Sequence, residues 1–121
     1  MTTYSRSDDT NDALSHRLAS SAAHDCASTA ALLADIGEFD ARRLYVPAAY
    51  SSMHAYCVHE LHLSDDAALK RIRAARIGRT IPAIFPAVAD GRLHLTAVVL
   101  LAPYLTPENS DELLAAATHQ G

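Results

Sequence analysis

The stretch Tyr56-Cys-Val-His-Glu-Leu-His-Leu-Ser-Asp-Asp-Ala-Ala-Leu-Lys-Arg-Ile-Arg-Ala-Ala-Arg-Ile-Gly-Arg79 decides how the chain folds, because it carries two helical patterns separated by a few residues. Ser64 stands where a helix N-cap belongs, since its hydroxyl can accept from a backbone N–H of the first turn. Asp65 and Asp66 follow it, opposing the positive end of the helix dipole, and the cations gather toward the other end. The spacing predicts a helix over about 65–77, closed by Gly78. Upstream, Ser51 or Ser52 is a candidate cap for a helix reaching about Leu61, with Met53, Tyr56, Cys57, Glu60 and Leu61 at turn spacing. Leu61 and Leu63 on one side and Ala68, Leu69 and Ile72 on the other supply enough apolar surface to pack two short helices together. The pair reads as a helix-turn-helix candidate.

Working outward, residues 11–39 contain no proline and one glycine, Gly37, while Leu14, Leu18, Ala22, Cys26, Thr29, Leu32, Leu33 and Ile36 recur at helical spacing. One long amphipathic helix, or two in succession, is expected there. Pro47 then breaks the pattern, because it disfavours helical geometry at Val46 and has no N–H to donate. Downstream, Pro82 is expected to open a short helix through Ala89, closed by Asp90-Gly91. Thr96 is expected to cap a helix over 97–101 that Pro103 ends or bends, and Thr106-Pro107-Glu108 predicts a last helix reaching about Thr118.

A strand over 92–101 is the alternative, since Leu93, Leu95, Val98, Val99 and Leu100 favour strands. No partner strand is evident, and a lone strand leaves its backbone groups unpaired. The expected fold class is therefore all-α: a compact multi-helix domain with a long N-terminal helix and a helix-turn-helix-like pair. Residues 1–9, rich in Ser, Thr and Asp, are expected to form a disordered tail, and residues 10–121 a single helical domain.

With 121 residues, 50% hydrophobic and 20% charged, the chain has the composition of one globular domain. No apolar run approaches the roughly 20 residues needed to span a bilayer, and the N-terminus lacks a secretory pattern. A cytoplasmic location without a membrane partner is expected. Cys26 and Cys57 lie outside any Cys-x-x-Cys pair and are expected to be reduced, buried thiols. His59-Glu-Leu-His62, with His54 upstream, falls one residue short of the His-Glu-x-x-His zinc-protease spacing. Cys57 sits among core-periodic residues and reads as inert despite His54 and His59 nearby. No glycine-rich phosphate loop occurs. On these grounds no catalytic residue, metal or cofactor is assigned.

The charge distribution points elsewhere. The chain carries a net charge of −4, yet Lys70, Arg71, Arg73, Arg76 and Arg79 make up half of its 10 Lys and Arg and fall in a run without an acid. A local basic patch on an acidic protein points to a local polyanion contact, and the overall acidity confines it. The competing reading is a solvated helix whose C-terminal cations stabilise its dipole. At helical spacing the cations do not form one stripe: Lys70 and Arg73 share a face with Ile77, while Arg76 falls near Leu69 and Ile72 and is expected to be partly buried. Arg42 and Arg43 are expected to pair with Glu38 and Asp40.

Four segments taken together carry a family resemblance. They are Asp40-Ala-Arg-Arg-Leu-Tyr45, Tyr50-Ser-Ser-Met-His-Ala-Tyr-Cys57, Leu61-His-Leu-Ser-Asp-Asp-Ala-Ala-Leu-Lys-Arg-Ile-Arg-Ala-Ala-Arg76, and the pair Gly91-Arg-Leu-His-Leu-Thr96 with Leu100-Leu-Ala-Pro-Tyr-Leu-Thr-Pro-Glu-Asn109. Over about residues 30–118 the chain resembles the helical N-terminal region of bacterial HNH endonuclease proteins. In that family the His-Asn-His module follows farther along and has no counterpart here, so the resemblance implies DNA targeting and transfers no catalytic residue. Leu63-Ser64, Ile81-Pro82 and Gly91–Thr96 are also similar in order and spacing to the helix-turn-helix region of ParB-type partition proteins, which implies a DNA-binding helical domain. His62, Asp65 and Asp66 replace the basic or small residues usual there.

The leading expectation is a DNA-binding or DNA-targeting module whose nucleic-acid contacts are Lys70, Arg71, Arg73, Arg76 and Arg79. The alternatives are a protein-interaction module, in which residues 11–39 pair with a partner or with a second copy as a homodimer, and an inactive truncated remnant of a nuclease.

Overall fold

The computed structural model describes residues 4–118, and within them the chain is all-α with no strand, as the periodicities predict. In chain order the helices are α1 (Asn11–Ala41), α2 (Met53–His59), α3 (Asp65–Thr80), α4 (Ile84–Ala89), α5 (Leu95–Leu101) and α6 (Ser110–Thr118), with a 3-10 turn at Ala102–Tyr104. α3 is the hub: α1, α2 and α5 all pack on it, and α1 also packs along α4. Its buried positions Ala68, Ile72, Ala74, Ala75 and Gly78 are mostly small, which lets neighbouring helices approach from several sides.

Thr10 caps α1, accepting from the Ala13 N–H at 3.1 Å. The helix is continuous and runs through Gly37 to Ala41, past the expected end at Phe39. Gly37 is buried where α1 meets α3; a Cβ there would lie 3.4 Å from both the Ala75 carbonyl oxygen and Cγ of Arg79. Only the second half of α1 belongs to the core. Ala30, Leu33, Ile36 and Gly37 are buried, whereas every residue from 11 to 25 is exposed, Leu14 and Leu18 included. The apolar stripe read from the sequence thus extends beyond the body that could cover it.

Ser52 caps α2, accepting from the Ala55 N–H at 3.0 Å, and α2 stops at His59, short of Leu61. The Tyr56 ring holds α2 against the end of α1, its centroid 4.5 Å from that of Phe39. Ser64 caps α3 as expected, accepting from the Ala67 N–H at 3.1 Å.

Gly78 does not end α3, contrary to the glycine rule. It is buried inside the helix beneath the Phe85 ring, and a Cβ added to it would come within 2.6 Å of Phe85 Cζ. The stop comes from Pro82 instead: Ile81 leaves the helix at φ −123°, ψ 78°, as the residue before a proline tends to do.

Pro82 and Ala83 form a turn, so α4 begins later than expected, at Ile84, and it closes at Asp90 and the left-handed Gly91 (φ +82°) as expected. α5 begins at Leu95 and not after Thr96, because buried Leu93, its N–H on the Ala87 carbonyl at 3.0 Å, anchors the chain just upstream. Thr106 and Asn109 cap each other: Thr106 N–H donates to Asn109 Oδ1 at 2.8 Å and Asn109 N–H to Thr106 Oγ1 at 3.2 Å. That closed turn delays α6 to Ser110.

The core joins Leu33 and Ile36 to Met53, Cys57, Ile72, Ile81, Ile84, Leu93, Val98, Leu105 and Leu114. Each such side chain contributes roughly 1.5–3 kcal/mol when fully buried. Cys57 is buried and desolvation pushes its thiol pKa up, while Cys26, expected to be buried too, is partly exposed where α1 leaves the body. Both are free thiols. Of the expected N-terminal tail, residues 1–3 lie outside the described residues; farther along it the Asp9 N–H donates to the Arg6 carbonyl at 3.1 Å and the Asp9 carboxylate pairs with Arg17. Among the described residues no helix is long and apolar enough to cross a membrane.

Candidate nucleic-acid interface

The connection between α2 and α3 is residues 60–64, and one residue sets its shape. His62 is left-handed, φ +61°, and the following Leu63 N–H reaches back to the Cys57 carbonyl at 3.1 Å. This swings the chain so that Ser64 can cap α3 at once. A β-carbon in this conformation costs about 1 kcal/mol, which glycine avoids. His62→Gly is therefore expected to raise stability by about 1 kcal/mol, less the extra freedom glycine gives the unfolded chain. Thermal unfolding would check it; a drop in stability would mean that the imidazole makes a contact outweighing its strain.

With α2, α1 and α5 covering its other sides, α3 leaves one face open. Asp66, Leu69, Arg73 and Arg76 lie along it at spacings of three and four, and all are exposed. Arg76 was expected to be partly buried; its side chain is instead 60% exposed. Beside Arg73 and Arg76 runs an open groove of about 580 Å³ with a floor of Ile77, Val99, Ala102 and Pro103.

The structure separates the five cations that the sequence grouped. Among the described residues no carboxylate pairs with Arg73. Lys70 Nζ lies 3.2 Å from Asp66 Oδ2, an i,i+4 pair within the helix. Arg76 makes a two-pronged contact with Asp40 of α1, Nε to Oδ2 at 2.9 Å and Nη2 to Oδ1 at 3.1 Å. Arg79 Nη1 donates to Glu38 Oε1 at 2.9 Å. Arg71 points away from the open face, into a cavity of about 190 Å³ beside Asp25, Cys26, Thr29 and His94, and donates to the Ala67 carbonyl at 3.2 Å.

The acids Glu38 and Asp40 are what the sequence reading placed differently. Glu38 does take Arg42, as expected, at 2.6 Å, but it takes Arg79 as well, and these two guanidinium groups hold its pKa below the usual carboxylate range. Asp40 turns to Arg76, not to its neighbour Arg43, which is left-handed at φ +54°. The hydrogen bond from Arg76 to Asp40 raises the guanidinium pKa further. Since Asp40 and Arg76 lie 36 positions apart, only the docking of α1 on α3 brings them together.

His54 Nε2 lies 3.6 Å from Asp65 Oδ1, which ties α2 to the first turn of α3 when the imidazole is protonated. Among the described residues no group of three or more His, Cys, Asp or Glu is placed to hold a metal ion.

No family model, curated protein or solved structure matches this chain. What the α3 face does must be read from its own geometry and charge.

Proposed function

We propose that the chain is a DNA-binding module that lays the open face of α3 against duplex DNA, with Arg73 at the centre of the contact and Lys70 beside it. The observation that carries this reading is the α2–turn–α3 unit. Left-handed His62 and the Ser64 cap set α3 rigidly against α2 and leave one side of it to solvent, which is the arrangement a groove-entering helix needs. The resemblance to the N-terminal region of HNH endonucleases supports the same reading and adds no nuclease step. Phosphate holding by the C-terminal half of α3 fits the residues better than base reading by its N-terminus, because Asp65 and Asp66 in the first turn repel the backbone and keep that end off the duplex.

The contact is narrower than the five cations of the sequence. Arg71 faces the cavity beside α1 and has no part in it. Binding of a fluorescent random-sequence duplex, followed across a salt series, tests this directly. Arg73→Ala is expected to weaken binding evenly across sequences and to lower the salt slope by about 0.9, the value of one lost phosphate contact. Arg71→Ala is expected to leave both unchanged. Equal losses in the two variants would refute the assignment, and a folded protein that ignores duplex DNA at low salt would refute the function.

A second reading, interaction with a partner protein or a second copy through α1, is favoured by the exposure of residues 11–25. Helix without a packed face gains no tertiary stabilisation, and a partner would supply it. A duplex-inert protein that scatters light as a dimer would favour this reading.

A further inference from the structure

We propose that Glu38 and Asp40 act as internal stand-ins for two phosphates, holding Arg76 and Arg79 in a second anion site that DNA opens by displacing them; this rests on the DNA reading above. A carboxylate and a phosphate present the same paired oxygens to a guanidinium fork, so the two-pronged Asp40–Arg76 contact has the geometry a phosphate would take over. Both arginines remain reachable, with side chains 60% and 45% exposed. Arg76 lies on the open face with Arg73, and Arg79 stands about one turn beyond Arg76 on the side toward α1, so a backbone laid on Arg73 meets Arg76 first and Arg79 after it.

The two acids differ in how easily they let go. Glu38 serves Arg42 and Arg79 together, so when Arg79 leaves, its charge is still paired. Among the described residues Arg76 is the one cation hydrogen-bonded to Asp40, whose side chain is 14% exposed, so an Asp40 left behind is a poorly solvated charge. Arg79 therefore exchanges readily and Arg76 reluctantly. Asp40 is the residue that sets how tightly the free protein resists DNA.

The experiment is duplex binding by the full chain at one moderate salt concentration. Asp40→Asn is expected to tighten binding about tenfold and Glu38→Gln by a smaller factor. The gain from Asp40→Asn is expected to vanish when Arg76→Ala is also present. Asp35→Asn, which removes an exposed acid of α1 that pairs with no cation among the described residues, supplies the control for net charge. A gain that persists without Arg76, or one that Asp35→Asn matches, overturns the proposal.

Because Asp40→Asn also loosens α1 on α3, the wild-type protein provides an independent readout. On adding duplex, the Nε–Hε resonances of Arg76 and Arg79 are expected to shift together with that of Arg73. Movement of Arg73 alone overturns the second site and leaves the DNA reading intact. Failure of both the wild type and Asp40→Asn to bind overturns both.

Discussion

Leu33→Ala is expected to lower the unfolding free energy by about 3 kcal/mol, toward the middle of the range for deleting a buried leucine. Leu33 is fully buried in the half of α1 that packs on α3 and α4. Much of the core it belongs to is alanine: Ala30, Ala68, Ala74, Ala75 and Ala87 are all buried. Such a core cannot swing a longer side chain into the gap, so the cavity persists and its cost adds to the lost burial. Urea unfolding should show a lower midpoint at an unchanged slope. Leu18→Ala, on the same helix but 69% exposed, is expected to change stability by less than about 0.5 kcal/mol. If the two variants lost equal stability, the exposed half of α1 would have to be packed in solution.

Gly78→Ala is expected to cost about 2 kcal/mol, although alanine favours a helix over glycine by about 1 kcal/mol. The loss comes from Phe85. A new β-carbon would sit 2.6 Å from its Cζ, well inside contact distance, so the ring and α4 beneath it must move. Shortening the ring should reverse the sign. In a Phe85→Ala background the space is open, and Gly78→Ala is then expected to stabilise by about the helix-propensity difference. A double-mutant cycle read by thermal unfolding measures the reversal. A Gly78→Ala variant more stable than the wild type would show that Phe85 can turn outward at little cost.

The same glycine shows where sequence reading stopped. Caps are local, and Ser52 and Ser64 were legible from their neighbours alone. Gly78 looked like a helix end because a glycine after a basic turn usually is one. Its role depends on Phe85, which approaches only once the chain has turned back at Pro82. Thr96 and Thr106 failed for a related reason. One was overtaken by the anchoring of Leu93, and the other capped its own turn with Asn109 before a helix could start.

The candidate site was half legible. The run of cations and the turn before it stood in the sequence, and so did the face that Lys70 and Arg73 share with Ile77. The sequence could not show that Glu38 and Asp40 would face Arg79 and Arg76 across a helix contact, whereas helical spacing alone already sets Arg71 on the side opposite Arg73. Charge within a segment is local information. Pairing between segments depends on how α1 crosses α3.

The overhang of α1 divides one helix into two thermodynamic regimes. From Ala30 onward its amides are tied to the core and open to solvent exchange only when the domain itself opens. Residues 11–25, about four turns and roughly 22 Å of helix, are free to unwind from the Thr10 cap inward without disturbing a single buried side chain. The continuous rod thus behaves as a stiff stem with a melting tip. Changes of temperature or solvent too mild to reach the domain would set how far it extends.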